Sequence, residues 1–252
     1  MKTTITLSSL VLSSVLACAA PVQPATAEAQ EMQGIRWEVM PETGKRGQPK
    51  LQLRHKSASS DLSLDADLAG RRPEFAAVRT ALSAPGPVQF TVKHEAGTLD
   101  CSGQVTRVYE GKGQCSFAPD AGFGRALGQR GLAPGAPADQ LTMLMVDATI
   151  ALADGLIREG VPPKETDDLI AAAALEITPE YVRDLKSEAI VLTDIDDAIA
   201  CKALGVDGAY MRGLAAAGYR KLSADDVVGM KALGVTGDYA QAMNRAAGGN
   251  AK

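Results

Sequence analysis

Hydrophobic positions change their spacing once along this chain. In the first half they alternate with polar ones, as in Ile35-Arg36-Trp37-Glu38-Val39, Leu51-Gln52-Leu53-Arg54 and Val88-Gln89-Phe90-Thr91-Val92. A period of two is that of half-buried strands. Leu62-Ser63-Leu64 continues the pattern, and Thr98–Cys101, Gln104–Tyr109 and Gln114–Phe117 are later strand segments. Glycines 97, 103, 111 and 113 lie between them and read as turns. Glu74 to Leu82, ahead of Pro85-Gly86-Pro87, reads as a short helix. The fold class expected is α+β, opening with an antiparallel β meander over residues 34–119 that packs on one face.

After residue 138 the spacing turns helical and the sequence repeats. Asp168, Asp197 and Asp226 are 29 residues apart, as are Tyr181, Tyr210 and Tyr239, and Leu185, Leu214 and Met243. A fixed period of this size is the mark of stacked repeats. Each unit reads as two short helices. Ser223-Ala224-Asp225-Asp226 is an N-terminal capping signal, with Asp194 in the equivalent place one unit earlier. Gly205 and Gly234 stand where a left-handed C-cap residue belongs. Thr178-Pro179-Glu180 starts the second helix with a cap, a proline and an acid. Tyr and Leu four apart share a face, so Tyr181/Leu185, Tyr210/Leu214 and Tyr239/Met243 are expected to pack repeat on repeat. The recurring aspartates are first-turn helix charges, because the glycine and distal glutamate of a calcium loop are missing.

One such pair cannot bury its apolar stripe alone, so the pairs must stack as a short α-solenoid over residues 139–247. Gln140 to Glu159 reads as one long helix, a first repeat whose two helices have fused. The Gly/Pro-rich stretch 120–138 reads as a linker, and 248–252 as a disordered tail.

The segments Leu204-Gly205-Val206 to Tyr210, Leu233-Gly234-Val235 to Tyr239, and Gly218-Tyr219 to Asp226 resemble the helical repeats appended to some bacterial BlaR-type membrane metallopeptidases. The resemblance covers about the last 90 residues. It implies an α-helical, protein-binding module. It does not bring peptidase activity, since the chain has no His-Glu-x-x-His. Ala96-Gly97-Thr98, Gly111-Lys112-Gly113 and Phe117-x-Pro119 look like the β region that precedes such repeats in exported proteins.

Export is legible at the N-terminus. Lys2, the apolar run Ile5 to Ala20 and the small residues Ala25-Thr26-Ala27 form a secretory signal over residues 1–27. The run is short and serine-rich for a membrane span. A rival exists: Val15-Leu16-Ala17-Cys18 resembles a lipobox, in which Cys18 would be lipidated and hold the protein to a membrane. Residues 28–33 read as a flexible linker. Under either processing the mature chain is outside the cytoplasm: periplasmic or secreted after simple cleavage, or anchored to the membrane as a lipoprotein. Cys101 and Cys115 flank the strand around Val105–Tyr109, and in an exported protein they are expected to form a disulfide; two buried thiols are the alternative. Cys201, among Ala198, Ala200 and Ala203, reads as a small core residue.

Composition narrows function by exclusion. The 252 residues carry a net charge of −4, with 18 acidic against 11 basic residues from Asp139 onward, a net −7 for that part. That is no footprint for nucleic acid. No nucleophile elbow or phosphate-binding glycine loop is present, and Gly111-Lys112-Gly113 reads as a hairpin turn. His55 and His94 read as exposed strand residues. No cofactor is expected. The leading expectation is a non-enzymatic module whose α-solenoid binds an envelope protein or peptide. The alternative is a small ligand or cell-wall fragment held by the β domain near Trp37, Phe90 and Phe117, with the helices as a cap.

Overall fold

The computed structural model describes residues 30–40, 49–56, 61–68, 72–188 and 190–249. The signal segment, Cys18 and the tail from residue 250 lie outside the described residues. The fold is α+β: a six-stranded antiparallel sheet followed by helices.

The strands are β1 (Met32–Met40), β2 (Lys50–Lys56), β3 (Asp61–Asp67), β4 (Gly86–His94), β5 (Gly97–Arg107) and β6 (Glu110–Pro119). Their order is β3-β2-β1-β6-β5-β4. This is not one meander but two three-stranded ones, joined by pairing of the first strand with the last. Strand β1 begins inside the stretch read as a flexible linker. One face carries Ile35, Trp37, Val39, Leu51, Leu53, Phe90, Leu99 and Phe117, all buried; the other carries Arg36, Glu38, Gln52, Arg54 and Lys112. A 3₁₀ turn (Pro73–Phe75) and helix α1 (Ala76–Ala81) cover the apolar face beside β4.

Gly103, Gly111 and Gly113 are mid-strand, not turns. The Trp37 indole lies across two of them and donates to the Ser102 carbonyl at 3.0 Å. A Cβ on Gly113 would sit 2.5 Å from the Trp37 ring nitrogen, and one on Gly103 2.6 Å from the ring. The true hairpin turn is at Val108-Tyr109, where Tyr109 takes φ 53°. Cys101 and Cys115 are directly opposed on β5 and β6 and form the disulfide.

The helices are α2 (Ala121–Gly128), α3 (Pro137–Val146), α4 (Ile150–Arg158), α5 (Thr166–Ala174), α6 (Pro179–Ser187), α7 (Ile195–Ala203), α8 (Gly208–Ala216), α9 (Ala224–Ala232) and α10 (Gly237–Gly249). Three expectations are corrected here. The stretch 120–138 is not a linker: Asp120 caps α2 by accepting from the Phe123 N–H at 2.7 Å. Residues 140–159 are not one helix: Asp147 turns left-handed at φ 66° and Thr149 caps a fresh helix, with α3 and α4 bent by 77°. Helix α10 runs on to Gly249, into the segment read as tail.

No single described helix is long and apolar enough to cross a membrane. The apolar core does not divide at residues 120–138. Phe123, Leu127, Leu141, Leu144 and Leu169 share one buried cluster with the sheet, and a second cluster runs from Leu156 to Val227. The first helices are therefore built onto the sheet, not hung from it.

Candidate functional site

The surfaces between helices follow the 29-residue register. Helix α3 packs on α5, α5 on α7 and α7 on α9; in the second row α2 packs on α4, α4 on α6, α6 on α8 and α8 on α10. The second-row helices start alike. Asp120, Thr149, Thr178, Asp207 and Thr236 each accept, through a side-chain oxygen, the N–H three residues on. In the first row, Asp139, Asp168, Asp197 and Asp226 reach back to the backbone N–H groups that open the turn. Asp194 and Ser223 return the bond to the N–H of Asp197 and Asp226, and at all four starts the acid's capping role accounts for the spacing without a ligand.

Tyr181 and Tyr210 make matching contacts. The Tyr181 hydroxyl donates to the Val206 carbonyl at 2.9 Å, and that of Tyr210 to the Val235 carbonyl at 2.9 Å. Lys202 stands over the Tyr181 ring at 4.5 Å, and Lys231 over the Tyr210 ring at 4.2 Å. Burial pushes both phenols above their ordinary pKa. Leu185 and Leu214 are fully buried beside them. Arg183 pairs with Glu159, and Arg212 with Glu188, one unit apart. At Gly213 and Gly237 two helix backbones meet: a Cβ on Gly237 would lie 2.5 Å from the Gly213 carbonyl carbon.

The final pair breaks the series. Tyr239 is 55% exposed, Met243 53% and Leu233 84%. Among the described residues nothing accepts the Tyr239 hydroxyl and no lysine covers its ring. Among the described residues, the tyrosine and leucine columns that α6 and α8 cover with the next pair are bare on α10, while Leu204, the internal counterpart of Leu233, is itself 41% exposed.

At the other end, a groove of about 830 Å³ lies between β3, the Arg72–Phe75 turn and the C-terminal ends of α3 and α5. Arg72 crosses it, donating to the Leu144 and Met145 carbonyls at 2.6 and 2.7 Å and to Glu74 at 2.7 Å. Next to it His94 accepts the Ala96 N–H on Nδ1 at 3.1 Å, so Nε2 carries the proton toward Asp147 at 3.2 Å. Its side chain is 6% exposed, which corrects the expectation of an exposed strand position. Burial lowers the His94 pKa, against the opposing pull of Asp147. Both ring nitrogens are thus committed to holding the β4–β5 turn against the end of α3. His55, on β2, is half-buried and separated from His94 by three strands.

The other residues singled out from sequence fall in the interior. Cys201 is buried, and burial, with Asp197 nearby, pushes its thiol up to about 11. Trp37, Phe90 and Phe117 are 1, 5 and 0% exposed, with Trp37 edge-on to Phe90 at 5.4 Å between centroids. Rings so buried leave little surface for a ligand. Among the described residues no group of three or more His, Cys, Asp or Glu is arranged to hold a metal ion.

What sequence reasoning missed had a signal. Phe123 and Leu127 continue the tyrosine and leucine columns backward through Leu152 and Leu156 at the same spacing, so α2 belongs to the series. Comparison with protein-family models, with curated proteins and with solved structures finds no match for this chain.

Proposed function

We propose that the chain is an exported, non-enzymatic interaction protein: a sheet that anchors a short α-solenoid of 29-residue helix pairs, whose open end binds an envelope protein. The reading rests on one observation, the bare trailing face of α9–α10. Two internal joints use the equivalent face, each time satisfying a tyrosine hydroxyl with a backbone carbonyl and its ring with a lysine. An exposed row of Leu233, Tyr239 and Met243 is costly to leave in water and is the usual mark of a protein contact. The partner this face fits is a helical hairpin of the same build, presenting a free carbonyl and a cation. The resemblance to repeats carried by BlaR-type metallopeptidases and the disulfide, which persists in oxidising compartments, support the same reading.

The test is photo-crosslinking in the producing cell. A benzophenone amino acid at position 239 is expected to trap one partner protein, and the same group on the polar sheet face at position 54 is not. Leu233→Glu should abolish the adduct formed from position 239. Identical adducts from both positions, or none from 239, would refute the reading.

A further inference from the structure

We propose that the groove between the sheet and the first two helix pairs takes an arginine side chain of an extended peptide segment, in a second guanidinium site beside Arg72. This rests on reading the helical part as an interaction module, but it concerns a different surface from the bare terminal face.

Arg72 shows what the groove accepts. Its guanidinium sits on the last carbonyls of α3, those of Leu144 and Met145, with Asp147 3.7 Å away. The carbonyls of a helix's last turn have no helical donor and form its negative end, so they attract a cation. One period further on, Ala173 and Ala174 occupy the places of Leu144 and Met145, and Glu176 that of Asp147. All three line the same groove. Among the described residues, no cation meets the Glu176 carboxylate. The second helix end differs in one respect: the Ala173 carbonyl already accepts the Glu176 N–H at 3.0 Å, so the Ala174 carbonyl and the Glu176 carboxylate are what it offers a cation.

The sequence of the units points the same way. The turn residue after each first-row helix is Asp147, Glu176, Gly205 and Gly234, and all four take positive φ, at 66°, 55°, 68° and 73°. Glycine is at ease there and an acid is not. The acids occur in the two units that border the groove, and the glycines in the two that do not. Leu152, Ala173 and Ala174, none of them fully buried, supply apolar surface for the residues flanking an arginine. Asp65 adds negative charge at the rim. A planar fork with five donors fits a carbonyl beside a carboxylate better than a lysine does.

The probe is the peptide acetyl-Leu-Arg-Leu-Arg-Leu-amide, added to the full mature chain and followed by amide chemical shifts. Shifts are expected at Ala173–Thr178 and at Asp147. Replacing arginine by citrulline, equal in shape and uncharged, should weaken binding at least tenfold. Glu176→Gln should weaken it at least fivefold, and Glu176→Lys should abolish it. Leu233→Glu should leave it unchanged, which separates this site from the terminal face. Equal binding of the citrulline peptide, or binding indifferent to both Glu176 variants, overturns the proposal. So do shifts spread equally over Asp194–Asp197.

Discussion

Tyr181, Tyr210 and Tyr239 allow a graded experiment, because the same substitution removes different things from each. Tyr181→Phe deletes a hydroxyl that donates to the Val206 carbonyl at 2.9 Å and leaves the ring under Lys202. Val206 is 1% exposed, so water cannot readily replace the lost donor. A net hydrogen bond is worth about 1 kcal/mol, and an acceptor left unpaired raises the cost toward about 2 kcal/mol. Tyr210→Phe removes the matching bond to Val235, a less buried carbonyl, and should cost about 1 kcal/mol. Tyr239→Phe removes a hydroxyl that has no partner among the described residues and should change stability by less than about 0.5 kcal/mol. Urea denaturation of the oxidised chain reads this directly. With a slope of about 2 kcal/mol per molar, the Tyr181 midpoint should fall by about 0.5–1 M and the Tyr239 midpoint should stay in place. Equal losses at all three positions, or none at Tyr181, would refute the assignment of hydroxyl–carbonyl bonds between successive pairs.

Other perturbations follow from the same geometry. Gly237→Ala forces a methyl against the Gly213 backbone and should destabilise by about 2 kcal/mol or more, whereas Gly229→Ala meets nothing within 4 Å inside α9 and should stabilise by about 0.5–1 kcal/mol; thermal unfolding of the two separates crowding from propensity. Replacing Cys101 and Cys115 together by alanine should lower stability by roughly 3 kcal/mol, seen as a loss of the difference between reduced and oxidised unfolding curves. The folded-state pKa of His94 is depressed by burial, so the unfolded chain binds the proton more readily. Its contribution to stability is present above the unfolded pKa of about 6.5 and is lost as pH falls toward the folded value. His94→Asn should flatten that part of the pH–stability curve, and an unchanged slope would show that other groups set it.

Local chemistry was legible and long-range packing was not. Ser223, Asp194 and Thr178 announced helix starts, and all three cap as expected. Gly205 and Gly234 announced helix ends, and both are left-handed. The same position filled by Asp147 carries no such signal, which is why α3 and α4 read as one helix. Helix α2 was hidden by Gly122, Gly124 and Gly128, which depress helix propensity, although Asp120, Phe123 and Leu127 keep the register. Gly103 and Gly113 read as turns because nothing local says that Trp37 will lie across them. The β1–β6 pairing joins strands over 70 residues apart in sequence, and period-two patterning cannot choose between such partners. Neither of the two surfaces proposed for binding was visible as a motif, since each exists only through stacking.

Helix α2 enters the second row with no first-row mate before it; the sheet fills that vacancy and seals the stack at one end. The stack therefore has a polarity. On the proposed solenoid reading, whole 29-residue units could be gained or lost at the far end without touching the sheet, while loss of the near end would strand everything beyond it. Length, and with it the reach of the free tip, is then the property that this arrangement leaves open to change.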